Sequence, residues 1–83
     1  MAKNEYENAE YAAMVGRMIR AYGRRVADGD EVDLTMLANM RGELDAAIIE
    51  AVRGQKRRWS WEVIGRALGT TRASAQQRYG KRL

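Results

Sequence analysis

Two long segments of this chain repeat apolar side chains at steps of three and four, and that spacing commits both to helix. Tyr11, Val15, Met18, Tyr22 and Val26 make the first series, widened by Met14 and Ile19, while Arg17, Arg20, Arg24 and Arg25 fall largely off it. Leu37, Met40, Leu44, Ile48 and Val52 make the second, with Ala47 and Ala51 beside it. A period of about 3.6 residues places each series on one face of a helix. Proline is absent, so nothing in either segment locks φ or removes a backbone donor.

The first helix is expected from about Glu5 to Val26, with Glu5, Glu7 and Glu10 in its first turns, where the helix dipole favours anions. Asp28-Gly29-Asp30-Glu31-Val32 then reads as a turn. Asp33 is the expected N-cap of a second helix over Leu34–Gly54, its carboxylate accepting an orphan backbone N–H. A short connection predicts that the two helices pack as an antiparallel hairpin. After the exit Gln55-Lys56-Arg57-Arg58, two shorter helices follow: Trp61–Leu68, capped by Ser60, and Arg72 to about Tyr79, capped by Thr71. Helices of two turns are not stable alone, so these must pack on each other and on the second helix. The fold class expected is all-α, an N-terminal antiparallel helical hairpin followed by a C-terminal helix-turn-helix, four helices in all. One domain spans 1–83, with 5–54 as scaffold and possible dimerisation surface and 57–83 as the binding motif.

Charge divides this sequence unevenly. Lys3, Arg17, Arg20, Arg24, Arg25 and Arg41 face ten acidic residues before position 51. From there on, Arg53, Lys56, Arg57, Arg58, Arg66, Arg72, Arg78, Lys81 and Arg82 face only Glu62. One end of the molecule therefore prefers a polyanion. The basic residues are interleaved with apolar ones that fold, unlike a solvated basic tail.

Within the last segment, Ile64 and Leu68 are four apart and are expected to face inward. Gly65 lets the following helix cross closely, Gly69 takes the left-handed conformation that turns the chain, and Ala75 and Tyr79 point back into the crossing. Ser60-Trp61-Glu62-Val63-Ile64-Gly65-Arg66-Ala67-Leu68-Gly69, followed by Thr71-Arg72 and Ala75-Gln76-Gln77-Arg78, resembles the helix-turn-helix family. More narrowly it is similar to small DNA-binding proteins of actinobacteria and their phages, which usually read Ser-Trp-x-x-Ile-Gly-x-x-Leu-Gly and then Thr-Arg-Gln-Ala-Ala. The resemblance extends back through Glu43-Leu44-Asp45-Ala46-Ala47-Ile48 and covers about half of the chain. It departs at Thr70 and at Arg78, where apolar residues are usual, with Tyr79 standing in as the late anchor.

The resemblance implies that the helix beginning at Arg72 enters the major groove of double-stranded DNA. Thr71 and Arg72 lie at its leading end and Ala73, Gln76 and Gln77 on its outer face. Glutamine pairs bidentately with adenine, arginine with guanine, and an alanine methyl touches the thymine methyl. Arg57, Arg58, Ser60, Arg66, Ser74, Lys81 and Arg82 would meet phosphates and fix register. Read without the motif, Gln76 and Gln77 are ordinary solvated helix formers, and Lys56 and Arg58 are surface cations like any other. Trp61 is assigned to the core, Trp59 to core or dimer contact as readily as to stacking on nucleic acid. Asp28, Asp30, Glu31 and Asp33 lack the loop glycine and terminal glutamate of an EF-hand and read as a solvated turn with a helix cap.

Histidine and cysteine are both absent, which removes the commonest general base, metal ligand and thiol nucleophile. No enzyme, cofactor, metal or small-molecule ligand is expected. No apolar run approaches the roughly 18 residues of a membrane span, and Met1–Glu5 does not resemble a signal peptide, so the expected place is the cytoplasm, on the nucleoid when DNA is bound. The function expected is sequence-specific DNA binding, in transcriptional regulation, by a dimer joined through residues 5–54. The alternative is a protein-interaction adaptor that docks on RNA polymerase or a host factor.

Overall fold

The structure, a computed structural model, describes residues 5–82, with side chains from Glu7 onward. Its elements are α1 (Glu5–Ala27), α2 (Glu31–Gln55), α3 (Trp61–Ala67), α4 (Arg72–Tyr79) and a closing 3-10 turn over Gly80–Arg82. No strand occurs among the described residues, so the chain is all-α with four α-helices. The signal-peptide reading of Met1–Glu5 falls largely on residues 1–4, outside those described. No described helix is long and apolar enough to cross a membrane. The chain divides into two compact units, Met1–Met40 and Arg41–Leu83, with the division inside α2.

In the first unit, α1 ends where Asp28 and Gly29 donate their N–H groups to the carbonyls of Arg25 and Val26. The helix that follows begins earlier than its apolar series indicates, and its cap is Asp30, not Asp33. Asp30 Oδ1 accepts from the N–H groups of Val32 and Asp33, each at 3.1 Å. Asp33 Oδ2 in turn accepts from the Asp30 N–H at 3.2 Å. The two carboxylates thus form a reciprocal capping box, each satisfying backbone donors the first turn leaves open. Aspartates three apart both suit a cap from sequence alone; the one that begins the helix takes that role and the other becomes its third residue. Gly29 leaves room for this arrangement, since a Cβ there would meet the Asp33 carboxylate and shift it.

Apart from the half-buried Gly16, burial in this unit is confined to the turn end. Val26 is buried, and Tyr22, Gly23, Asp33 and Leu37 are half-buried. Further back on α1 the apolar series is exposed: Tyr11 at 66%, Met18 at 62%, and Met14, Val15 and Ile19 between 38% and 48%. Leu34 and Met40 on α2 are exposed as well. The expectation that the two stripes cover each other as a hairpin is not met along most of α1. Periodicity identifies an apolar face; it says nothing about which surface covers it.

The second unit holds the core. Val52 from α2, Ile64 from α3 and Tyr79 from α4 form a buried cluster, with Ile48, Ile49 and Trp61 packed partly buried against it. Ala75 is fully buried. Burying an apolar side chain of this size contributes about 1.5–3 kcal/mol, so three large side chains and their neighbours make a small core. It is enough to hold α3 and α4, whose 7 and 8 residues lie below the roughly 12–15 that an isolated helix needs. Leu68, expected inside, is 38% exposed. It sits at the C-cap of α3, where the chain already turns away from the core.

Candidate nucleic-acid interface

Two side-chain caps and a glycine turn build the α3–α4 unit. Ser60 has extended backbone and its hydroxyl accepts from the Val63 N–H at 3.3 Å. Thr71 repeats the arrangement for α4, accepting from the Ser74 N–H at 3.0 Å. Each cap stops the preceding chain and fixes where its helix starts. Between them, the Gly69 N–H donates to the Arg66 carbonyl at 3.1 Å and the Thr70 N–H to the Gly65 carbonyl at 2.8 Å. This pair is the Schellman pattern, which needs a left-handed residue after the cap. Gly69 supplies it with φ of 75°. Thr70 takes the place after that glycine, half-buried, with its backbone N–H engaged.

The crossing of the two helices is set by Gly65. A Cβ at this position would stand 2.8 Å from the Thr71 carbonyl oxygen and 3.2 Å from the Arg72 nitrogen. These are backbone atoms, so α4 starts as close to α3 as a chain without a side chain permits. Ala75 then fits the crossing with no exposed surface, and Tyr79 closes the far end against Val52 and Ile64. Tyr79 is thus an anchor in the core, and Arg78 beside it remains exposed.

With Ala75 and Tyr79 turned inward, the opposite side of α4 carries Ala73 and Gln77, flanked by Gln76 and Ser74. Thr71, Arg72, Ala73, Gln76 and Gln77 are all exposed, and Ser74 is half-buried. The residues assigned to base reading therefore share one short, solvent-facing helix and its cap. Among the residues assigned to phosphate, Arg57, Arg58, Ser60, Arg66, Lys81 and Arg82 are exposed. Arg66 Nη2 lies 3.8 Å from Glu62 Oε2, both side chains more than two-thirds exposed, a pair too solvated to hold the arginine back. Arg57 and Arg58 follow the end of α2 and line a shallow depression with Glu50, Ala51, Gly54 and Gln55.

Two cations carry structure that residue spacing does not reveal. Lys56 Nζ sits 5.2 Å from the centre of the Trp61 ring and donates to the Trp59 carbonyl at 3.3 Å. It ties the exit of α2 to the start of α3, and Trp61 lies partly in the core as expected. Trp59, assigned to core or dimer contact, is 48% exposed and lies outside the core of the single chain. Arg53 Nη2 donates to the Arg82 carbonyl at 3.1 Å, across 29 residues, and pins the closing turn to α2. Arg78 lines a shallow hollow with Asp45, Ile49, Tyr79 and Arg82. Only these contacts identify Lys56 and Arg53 as structural; in the sequence they are two of the nine basic residues from position 51 onward.

Among the described residues no group of three or more acidic side chains is placed to hold a metal ion. The Asp30 and Asp33 carboxylates are engaged in the capping box of α2. Comparison with protein-family models, with curated proteins and with solved structures finds no match.

Proposed function

We propose that α3, the Gly69 turn and α4 form a helix-turn-helix that binds double-stranded DNA, with α4 in the major groove. The observation that carries this reading is the division of α4 into two faces. Ala75 and Tyr79 fix one side to the core, and the other presents Arg72, Ala73, Gln76 and Gln77 without an intramolecular task for any of them among the bonds and ion pairs described above. That set is able to read adenine, guanine and the thymine methyl. The basic excess of the same unit supports it. Arg57, Arg58, Arg66, Lys81 and Arg82 give it the charge that neutralises phosphates and releases counterions. The biological role proposed is regulation of transcription.

Selection of bound sequences from random duplex DNA, at about 150 mM salt, tests the reading. Enrichment of a short motif is the expected result. Salt-sensitive retention without enrichment would reduce the role to architectural binding, and no retention would overturn it in favour of an adaptor that docks on another protein.

A further inference from the structure

We propose that Gly80 is a specificity-determining position. The notch left by its missing side chain, walled by the Trp61 ring, is the space in which the Gln76 amide turns to meet a base. This role rests on the DNA-binding reading and adds to it a residue that positions a base reader.

Gln76 and Gly80 are four residues apart, one turn along the same side of α4 and the 3-10 turn that continues it. The Gly80 N–H donates to the Gln76 carbonyl. Nothing in the backbone asks for glycine here, because φ of −60° and ψ of −39° are ordinary right-handed helix. Nor does packing exclude a side chain. A Cβ on Gly80 would stand 3.7 Å from Gln76 Cγ and 3.9 Å from Trp61 Cζ2, both ordinary contacts. Glycine in a helical conformation costs stability relative to alanine. What its bare Cα leaves open is the gap between those two side chains.

The two walls of the gap differ in how far they yield. Trp61 is half-buried against the Val52, Ile64 and Tyr79 cluster, with the Lys56 ammonium 5.2 Å from its ring centre. Gln76 is exposed, and its amide makes no described hydrogen bond. A side chain entering the gap therefore displaces Gln76 and not the tryptophan. Long side chains on a helix lean toward its N-terminus, over the residues three and four positions earlier. For position 80, the residue four earlier is Gln76. Bidentate pairing sets the carboxamide in the plane of the adenine edge, so the last torsions of the glutamine must be free to turn. The notch supplies that freedom on the side of Gln76 toward the end of α4.

Competition titrations of the full chain on duplexes selected from random DNA, each changed at one base pair, test the role. Gly80→Leu is expected to lose about tenfold or more of the discrimination at one base pair, the same pair that Gln76→Ala relaxes. Gly80→Met repeats the test with a more flexible side chain should leucine unfold the chain. Combined with Gln76→Ala, either substitution is expected to add no further loss, since a displaced amide and a deleted one are the same loss. Gly80→Ala is expected to melt no lower than the parent. A glycine needed only by the fold would give another pattern, with Gly80→Ala melting lower and Gly80→Leu weakening selected and scrambled duplexes alike. That pattern, unchanged discrimination in folded Gly80→Leu, or additive losses in the double variant would overturn the proposal. If the parent chain selects a sequence and Gly80→Leu keeps the preference, only the role of Gly80 falls. If the parent selects none, the base-reading role of α4 falls and that of Gly80 with it.

Discussion

Gly65 lies directly against the Thr71 carbonyl, 2.8 Å from where its Cβ would stand, and this contact fixes how closely α4 starts beside α3. Gly65→Ala therefore meets backbone that can move only by shifting the whole of α4. The expected cost is about 1–3 kcal/mol, the range for overpacking a close-fitted site. Gly69→Ala provides the comparison, since nothing lies within 4 Å of its Cβ position. Its cost is conformational alone, about 1 kcal/mol for holding a non-glycine residue at positive φ. Thermal unfolding of both variants should place Gly65→Ala below Gly69→Ala. The reverse order would mean that the helix crossing yields more easily than the turn.

The capping box at the start of α2 predicts a graded response. Asp30→Ala removes the acceptor of two backbone N–H groups, and Asp33→Ala removes the acceptor of one. N-cap losses cost about 0.5–2 kcal/mol, so Asp30→Ala should be the more destabilising and Asp30→Ser should recover most of the loss. Denaturant unfolding measures the ranking. Equal losses from the two alanines would show that the carboxylates act only through the helix dipole.

The reach of the sequence differs between the two units. In the second, the caps Ser60 and Thr71, the left-handed Gly69, the buried Ala75 and the anchor Tyr79 were all legible, because each is a local rule about backbone geometry or side-chain size. Leu68 and Trp59 were not, since inward or outward placement at a helix end depends on where the chain turns. In the first unit the stripe on α1 was visible but its cover was not, because the same spacing serves an internal partner and an external one. The α2 start shifted from Leu34 to Glu31 for a similar reason: two aspartates compete for one cap. The solvent-facing side of α4 follows from the burial of Ala75 and Tyr79, but the task of that side does not follow from burial at all.

Role assignments within the proposed interface predict two kinds of loss. Gln76→Ala and Gln77→Ala should relax discrimination at single base pairs by about 1–3 kcal/mol and leave the salt dependence unchanged. Arg57→Ala and Arg58→Ala should weaken binding to every sequence alike and lower the slope of log K against log salt by about one unit each. Titrations on selected and scrambled duplexes at several salt concentrations distinguish the two patterns. Uniform losses from all four variants would remove the base-reading role of α4.

Lys56 predicts a third behaviour and separates structural cations from phosphate-binding ones. Its ammonium is engaged twice within the chain, by the Trp61 ring and by the Trp59 carbonyl, whereas Arg58 two residues on is exposed with no described side-chain partner. A partly exposed cation–π contact is worth about 0.5–1 kcal/mol, and the carbonyl hydrogen bond adds a similar amount. Lys56→Ala should therefore lower stability by roughly 1–2 kcal/mol, shift tryptophan emission, and change the salt slope of DNA binding less than Arg58→Ala does. Arg58→Ala should leave stability within about 0.5 kcal/mol of the parent, as surface substitutions do. If Lys56→Ala instead keeps full stability and lowers the salt slope by a whole unit, the lysine leaves the tryptophan for a phosphate when DNA binds, and its place in the folded chain is a resting position, not a structural one.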